Sequence, residues 1–555
     1  MPTETLHLAG QINSRLASTG YTKDQVFKAC LIKTLSNPVT GKNTVYVEKR
    51  GNLSESATSP NTSGVGTAVF LSPSTAVTVS AFGATTSTVF AGSTNCGALD
   101  TSAVVRHISE TIISGVTFYL MSAHAGGGWY LPSDSYAVTA YTADGNNSTT
   151  ISDIKISGVN NTAGLYPGQL LTAGANIVAG TRVVSVNAGA FTAVLDTATT
   201  GGAFNDLAIT KTPVAKMNDA DFPTNIIGEF VELSGTVYIM DTSGKIWGSD
   251  LNSVSAWTAT NFISANLYTD GGTGLAKDGD RIIGFGASSA EWFYNAGNAT
   301  GSLLSKTGRS IPVGASVGSL ASIAAISSTG TVICWSVMTG RTRQIWMLDG
   351  GSPKKISTPM VEVLSGVTDL TCLTSFNYSG GRYVFVSFVN STNYNLMYSL
   401  DTGLWTDAAF PDAMILSALP GRVGGLNVVV RIAAVESVLT NGDVYSWLET
   451  SYSGSFDTPS LVVQIAGLDF GTDKRKIVSA MWLDADTQAS GTATLECSDD
   501  DYANFRTLGT FDMTKHEKKI TRLGSHDGER AYRLTHSANT AFRARALRIE
   551  YEVGT

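Results

Sequence analysis

An aromatic residue followed three positions later by Asp or Asn, just ahead of a tight turn, recurs along the second half of this chain. The copies are Trp247/Asp250, Trp292/Asn295, Trp346/Asp349 and Tyr398/Asp401, with a looser one at Tyr445 to Leu448, and successive copies lie between 45 and 54 residues apart. The clearest runs from Tyr394 to Phe410, YNLMYSLDTGLWTDAAF. There Tyr398 and Leu400 share a face, Asp401-Thr402-Gly403 supplies the turn, and Trp405 opens the returning strand. A unit of about fifty residues with about four short strands cannot bury its apolar face alone. Repeated, it is the sequence form of β-propeller blades.

Five such units fill 228 to 457, and two blade-like units precede them between 64 and 134, as in GTAVFLSPSTAVTVSAFG and ETIISGVTFYLMSA. The expectation is an all-β chain built on a six- or seven-bladed β-propeller, with a strand from the N-terminal region completing the last blade. Residues 136 to about 214 break the rhythm. Strands expected at Ile151 to Ile156, Gln169 to Leu171, Arg182 to Val186 and Phe191 to Leu195 are separated by Gly, Asn and Pro turns, so this stretch reads as a small β-sandwich inserted at a blade loop and projecting from the body. After Pro459 the fifty-residue period is lost. Seven strands at regular spacing, from VVQIAGLDFG to RALRIEYEV, predict a C-terminal β-sandwich.

Near the start, TKDQVFKACLIKTL carries Thr22 with Gln25 three residues on and an apolar stripe of Val26, Phe27, Cys30, Leu31 and Leu35, which predicts a short helix. The resulting division is a helical arm over 1–36, the first part of the propeller over 37–135, the insertion over 136–215, the second part of the propeller over 216–458, and the C-terminal sandwich over 459–555.

Composition narrows the class. With 57 Gly and only 15% charged residues in 555, the chain is rich in turns and poor in the groups that keep a surface solvated, so much of its surface is expected to lie against partner subunits. A net charge of −8 argues against a protein that grips nucleic acid, while a weakly acidic wall would let DNA slide without sticking. Basic residues concentrate after 470, from Lys474, Arg475 and Lys476 to Arg543, Arg545 and Arg548; the alternatives there are an assembly or DNA-facing surface and an ordinary solvated face. Five widely spaced cysteines, Cys30, Cys96, Cys334, Cys372 and Cys497, form no C-x-x-C pair and read as reduced buried thiols made in a cytoplasm. The opening MPTETLHLAG lacks the pattern of a secretory signal. The uncharged run between Arg309 and Arg341 is broken by Gly, Ser and Thr, so buried strands are expected there and not a membrane span.

The C-terminal strings Glu496-Cys-Ser-Asp-Asp-Asp-Tyr-Ala-Asn-Phe505, Leu508-Gly509, Arg522-Leu523-Gly524 and Arg530-Ala531-Tyr532-Arg533-Leu534 resemble the last domain of the tail hub proteins of short-tailed bacteriophages (podoviruses), also called packaged-DNA stabilisation or nozzle proteins. That family carries Ser-Asp-Asp-Gly-Gly and a nearby Trp, where this chain has Asp501-Tyr502 and Phe505. The Asn37-Pro38 turn, Lys49-Arg50-Gly51 and the stretch Leu275 to Tyr294 are similar to the same family's propeller. The resemblance spans 37–134 and 216–555 and leaves the insertion out. It implies a structural virion protein of the phage tail, made in the bacterial host cytoplasm. It further implies a homohexameric ring below the portal and tail adaptor that retains packaged DNA until ejection, lets it pass without sequence readout, and offers attachment to a tail tip, needle, fibres or tailspikes.

No catalytic, cofactor-binding or metal-binding residue is designated, no cofactor is expected, and the chain reads as a non-enzyme. H-E-x-x-H and P-loop patterns are missing from the sequence. Ser498 to Phe505 also resembles the Asp-box turn of sialidase-like propellers, a structural turn that occurs here once and outside the blades. A sialidase-type site needs three clustered arginines. The propeller's Arg106, Arg281, Arg309, Arg341, Arg343, Arg382, Arg422 and Arg431 form no recognisable constellation, and His7, His107, His124, His516, His526 and His536 read as isolated, satisfied structural or surface residues. The alternative function is a carbohydrate-binding or sialidase-like propeller, with Tyr136, Tyr141, Tyr166, Phe191 and Phe204 of the insertion as its sparse aromatic complement.

Overall fold

Hairpins of alternating apolar residues joined by Gly, Asn and Asp turns give four-stranded antiparallel sheets in which each strand pairs with the next in sequence. The computed structural model describes residues 3–554 other than 9–25, 37–42, 56–61, 64–65, 73–74, 76, 84, 137–139, 174–175, 266, 317–322, 328–330, 340–341, 350–351, 360, 363–368, 390–392, 411–412, 424–426, 437–440 and 455–456. Among them seven sets of four strands follow in chain order, four as separate sheets and three as parts of a ten-, a nine- and a five-stranded sheet. The first runs Gly66–Leu71, Thr78–Phe82, Thr88–Ala91, Thr94–Ala98; the third from Ile226–Leu233 to Trp257–Ser264; the fourth from Gly274–Asp278 to Leu304–Ile311; the fifth from Ile323–Ser327 to Lys354–Lys355; the sixth from Asp369–Tyr378 to Trp405–Asp407. The first strand of each sheet lies beside the first strand of the next, and Ala413–Val423 of the seventh returns to Gly66–Leu71 of the first, so the sheets surround an axis as propeller blades do.

The seventh sheet consists of Ala413–Val423, Asn427–Glu436 and Asn441–Trp447 and takes its outer edge, Leu53–Glu55 with the short Thr62–Ser63, from near the chain's start. The expected closure by an N-terminal strand is therefore present, with Trp447 opposite Leu53. The recurring tryptophans are explained by packing plus a buried donor. Trp292 is fully buried and donates from Nε1 to Asp278 Oδ2 (2.8 Å), and Trp247 donates in the same way to Asp241 Oδ2 (2.9 Å). The uncharged run after Arg309 holds the strands Ile323–Ser327 and Thr331–Thr339, and no helix among the described residues is long and apolar enough to cross a membrane.

The second sheet carries the insertion. Its strands His107–Ile113, Val116–Ser122 and Gly128–Pro132 are followed by some seventy residues before the 14-residue strand Ala203–Lys216. The first part of that strand pairs with Ala140–Asn146 of the insertion, and its end returns to Trp129 and Tyr130, so one backbone runs through both units. All four insertion strands expected from sequence are present within a residue or two, at Thr150–Ile156, Gln169–Thr172, Val183–Asn187 and Thr192–Leu195. They curl around Tyr141, Ile151, Ile154, Leu171 and Ile209.

Polar contacts fix the neck of the insertion. Asp100, beyond the last strand of the first sheet, accepts from Arg182 (2.6 Å) and Lys216 (2.7 Å), and both cations lie against the Trp129 ring. Gly168, at the turn after Pro167, has φ +80°, and a Cβ there would sit 1.8 Å from the Lys216 carbonyl oxygen. Gly168→Ala is expected to cost more than about 3 kcal/mol, through a forbidden backbone conformation and a backbone clash together. Urea unfolding followed by tryptophan fluorescence would measure it, and an unchanged midpoint would contradict this placement.

The C-terminal sandwich contains all seven expected strands, from Leu461–Leu468 to Arg543–Val553, but it is not built from them alone. Thr3–His7 pairs with Arg543–Val553 from Thr3/Glu550 to His7/Ala546, Asn43–Lys49 pairs with the same strand, and Cys30–Ser36 pairs with Asn43–Lys49. Leu6, Leu8, Phe27, Cys30, Ile32 and Val47 join Leu461, Met481, Leu495, Phe511, Tyr532 and Leu547 in one core. Two expectations are corrected here. The helix expected over Thr22 to Leu35 is replaced, over its described part, by the strands Val26–Lys28 and Cys30–Ser36. Phe27, Ala29, Cys30, Leu31 and Ile32 are all buried, so both faces of the segment are covered, and burial on two faces outweighs a helical stripe of spacing. Asn43–Lys49, expected to open the propeller, belongs to the sandwich.

Val26–Lys28 also lies parallel to Trp405–Asp407, the outer strand of the sixth sheet, while its other edge pairs with Leu461–Leu468. Propeller and sandwich thus share one continuous nine-stranded sheet.

Candidate functional site

Two of the stretches that carry the sequence resemblance, Lys49 to Gly51 and the strings from Glu496 to Leu534, build two buried joints, while Leu275 to Tyr294 lies in the fourth sheet and the Asn37-Pro38 turn lies outside the described residues. The first lies where the chain leaves the sandwich for the propeller. Arg50, completely buried, donates from Nη1 to Asp457 Oδ2 (2.6 Å) and Gly51 O (2.8 Å), from Nη2 to Ala409 O (2.9 Å) and Asp457 Oδ1 (3.2 Å), and from Nε to Ala408 O. Its guanidinium also lies 4.5 Å from the Phe410 ring centroid. Asp457, itself buried, accepts from the Leu53 amide (2.9 Å). Beside it Tyr378 stacks on Trp447 at 4.2 Å and donates to Leu448 O (2.6 Å), while Trp447 Nε1 donates to Gly51 O (3.0 Å). Lys49 points the other way and donates to Ala538 O (2.6 Å); burial, with Arg50 adding to it, draws its ammonium down to about 8. A fork of five donors satisfied on every side is a fastening, with no room for a ligand.

The second joint is in the sandwich. Arg530, fully buried, grips Asp499 through Nε (2.5 Å) and Nη2 (2.9 Å) and donates to the carbonyls of Leu523 and Ser525. Ser498 Oγ donates to Asp500 Oδ1 (2.7 Å), and Asp500 accepts from the Asn504 amide (2.9 Å) and side chain (2.7 Å). These bonds, the Asn504 side chain's first, hold the exposed Asp500 carboxyl down to about 2. Asp501 and Tyr502 adopt φ +54° and +65°, the left-handed conformation that glycines would take without strain. Tyr502 recovers part of that cost by accepting the Gly467 amide at its hydroxyl (2.8 Å), and Phe505 lies 3.8 Å beneath the Arg533 guanidinium. Asp501→Gly is therefore expected to raise stability by roughly 0.5–1 kcal/mol, and Tyr502→Gly to gain nothing. Thermal unfolding of the two variants checks this, and a destabilised Asp501→Gly would contradict it.

Groups of the kind catalysis uses are dispersed. Of the propeller arginines whose side chains are described, Arg281 and Arg309 belong to the fourth sheet, Arg343 to the fifth and Arg382 to the sixth, while Arg106 precedes the second. Arg309 covers Trp292, Arg343 donates to Ser336 and Arg382 pairs with Asp401, so these five do not form a carboxylate-binding cluster; the side chains of Arg341, Arg422 and Arg431 lie outside the described residues. The insertion's Tyr141 is buried and donates to Ala163 O, and Tyr166 packs on Phe118 and donates to Asp134, so they are core and neck residues and not a platform for a sugar.

The histidines require a correction: His107 and His124 are not isolated but stack at 5.5 Å. Burial, with mutual repulsion and Arg106 reinforcing it, pushes His107 down to about 3, and burial with Arg106 holds His124 at about 4. Sequence reasoning also missed a carboxylate trio in the insertion, Asp144, Asp153 and Asp206, whose oxygens lie within 4.8 Å of one another. Its positions are too far apart in sequence to give a signal. The Lys155 ammonium already sits 2.6 Å from Asp153 and 2.9 Å from Asp206, supplying the positive charge there. Cys30, Cys96, Cys334 and Cys497 are buried free thiols, each pushed up by burial; the Cys372 side chain lies outside the described residues.

A protein-family model described as Bacteriophage P22 Gp10, beta-propeller, matches residues 178–385. The match begins in the insertion, crosses the third, fourth and fifth sheets, and ends in the second strand of the sixth. No curated protein matches the chain. Similar solved structures include BBS1N in complex with ARL6DN, 10% identical over 77% of this chain and 95% of that chain with TM-score 0.31, and the Mitotic Checkpoint Complex, 11% identical over 72% and 96% with TM-score 0.36.

Proposed function

We propose that this chain is a structural hub, or nozzle, protein of a short-tailed phage tail, located in the virion and without enzymatic activity. The family match over 178–385 carries the reading, because it falls on the repeating sheets and names a phage propeller. Each of the seven sheets is then a blade, the insertion is a module held on the second, and the shared nine-stranded sheet makes propeller and sandwich one stiff wedge. Six wedges closing by head-to-tail contacts form a conduit below the portal and adaptor, with distal tail parts attached at the far end. The uneven charge suits this role: residues 50–458 carry 18 Lys and Arg against 28 Asp and Glu, so a bore lined by them repels phosphates and lets DNA slide. Mass photometry of the purified 58.2 kDa chain should find a species of six copies. A chain that stays single at every concentration would refute the ring.

A further inference from the structure

We propose that the outer face of the C-terminal sandwich, along a cross-strand row of Lys519, Trp482 and Arg548, is the surface that receives the acidic propeller side of a second copy of this chain. The proposal rests on the ring reading above and assigns it a contact.

Register places the three residues in line: Lys519 is opposite Trp482, Trp482 opposite Arg548, and Arg548 opposite Thr5 on the N-terminal strand. The Trp482 ring is half-buried, with the Lys519 ammonium 4.5 Å and the Arg548 guanidinium 5.4 Å from its centroid. Both cations are exposed, and among the described residues neither has a carboxylate within ion-pair distance. The row borders a groove of about 850 Å³ that also takes in Asp484, Asp486, His516, Glu517, Lys518 and Arg545. The acids of that groove already have partners. Asp484 holds Arg545 (2.9 Å), Asp486 faces Arg543 (3.5 Å), and Glu517 accepts from Trp482 Nε1 (2.9 Å). Lys518 is turned inward onto Ala485 O (2.9 Å). Lys519 and Arg548 are left without an ion-pair partner on either side of an aromatic anchor, and Trp and Arg are residues that interfaces favour.

The occupant follows from where the opposite charge lies. Residues 1–49 with 459–555, which supply the strands of the sandwich, carry 19 Lys and Arg against 17 Asp and Glu, whereas residues 50–458 carry the deficit of 18 against 28. A chain split in this way is complementary to itself head to tail, and such heterologous contacts generate rings.

Two experiments on the full-length chain test this. The first mixes 14N- and 15N-labelled wild-type protein and links amines to carboxylates with a zero-length carbodiimide. Mass spectrometry should then find Lys519 joined to a carboxylate within 50–458 across the two labels. Links from Lys519 confined to its own copy, or none, would overturn the proposal. The second compares wild type with the Lys519→Glu, Arg548→Glu pair by sedimentation velocity from 50 to 500 mM NaCl. The pair should raise the concentration at half-assembly at least tenfold, and wild-type assembly should weaken with salt. Far-UV circular dichroism confirms folding, and if the charge reversal unfolds the chain, Lys519→Ala with Arg548→Ala replaces it. A wild type that never assembles would refute the ring itself; a wild type that assembles alongside an equally assembled variant would overturn this surface alone, as would a surface that captures duplex DNA while leaving assembly untouched.

Discussion

Replacing Arg50 by methionine is expected to lower the stability of the chain by about 3–5 kcal/mol, among the largest effects of any single change. The volume is nearly kept, but the substitution strands the Asp457 carboxylate, 3% exposed, together with the carbonyls of Ala408 and Ala409, all of which the guanidinium now satisfies. Those groups lie at the joint between sandwich and propeller, so the loss should be read in both: one unfolding transition should split into two, or shift as a whole to lower urea. Arg50→Lys should recover little, because an ammonium cannot serve five bonds in one plane. The double replacement Arg50→Met with Asp457→Asn should cost less than the sum of its parts, since removing the buried charge removes much of the penalty. A loss under 1 kcal/mol for Arg50→Met would mean that this joint does not couple the two domains.

The second large effect is acid lability of the sandwich. His526 and His536 are buried, and both are held down to about 4. For His526, burial is the main cause, with Arg530 and Lys476 adding to it and Asp499 opposing. For His536, burial leads and Lys49 adds. An unfolded chain binds protons at these rings near pH 6.5, whereas the folded chain does so only near 4. The unfolded state therefore carries more protons between those limits, and stability falls as pH drops through that window. Each ring is expected to remove on the order of 2 kcal/mol by pH 4, while stability above pH 7 should be insensitive to either. Urea midpoints at intervals between pH 7.5 and 4 measure the slope, and His536→Leu should flatten it. A slope equal to that of wild type would place the acid sensitivity elsewhere.

Much of the fold could be read from local pattern. The turn Asp401-Thr402-Gly403 and the tryptophan hairpins gave the repeating sheets because each sheet is made of neighbours in sequence, so pairing leaves a periodic trace. The insertion strands and the C-terminal strands were legible for the same reason. What local pattern could not reveal was Thr3 opposite Glu550, or Lys28 opposite Asp407, because a strand pairing across hundreds of residues leaves no spacing signal at either end. The Val26 to Leu35 stripe misled for a related reason: a strand covered on both faces loses its alternation and then matches a helix by chance. The joints were legible only as strings. Arg50, Asp499 and Arg530 carried the resemblance, but the partners of Arg50, Asp457 and Ala408, come from other parts of the chain. The stacked His107 and His124 gave no signal at all.

That dependence on distant partners ties propeller to sandwich, as the proposed conduit requires. The most direct test is cryo-electron microscopy of the virion that contains this chain. The account predicts six copies around the tail axis below the portal, each with seven blades, a sandwich against its neighbour and continuous density for DNA through an acidic bore. Single copies standing apart on the outside of the particle, with no passage between them, would contradict it.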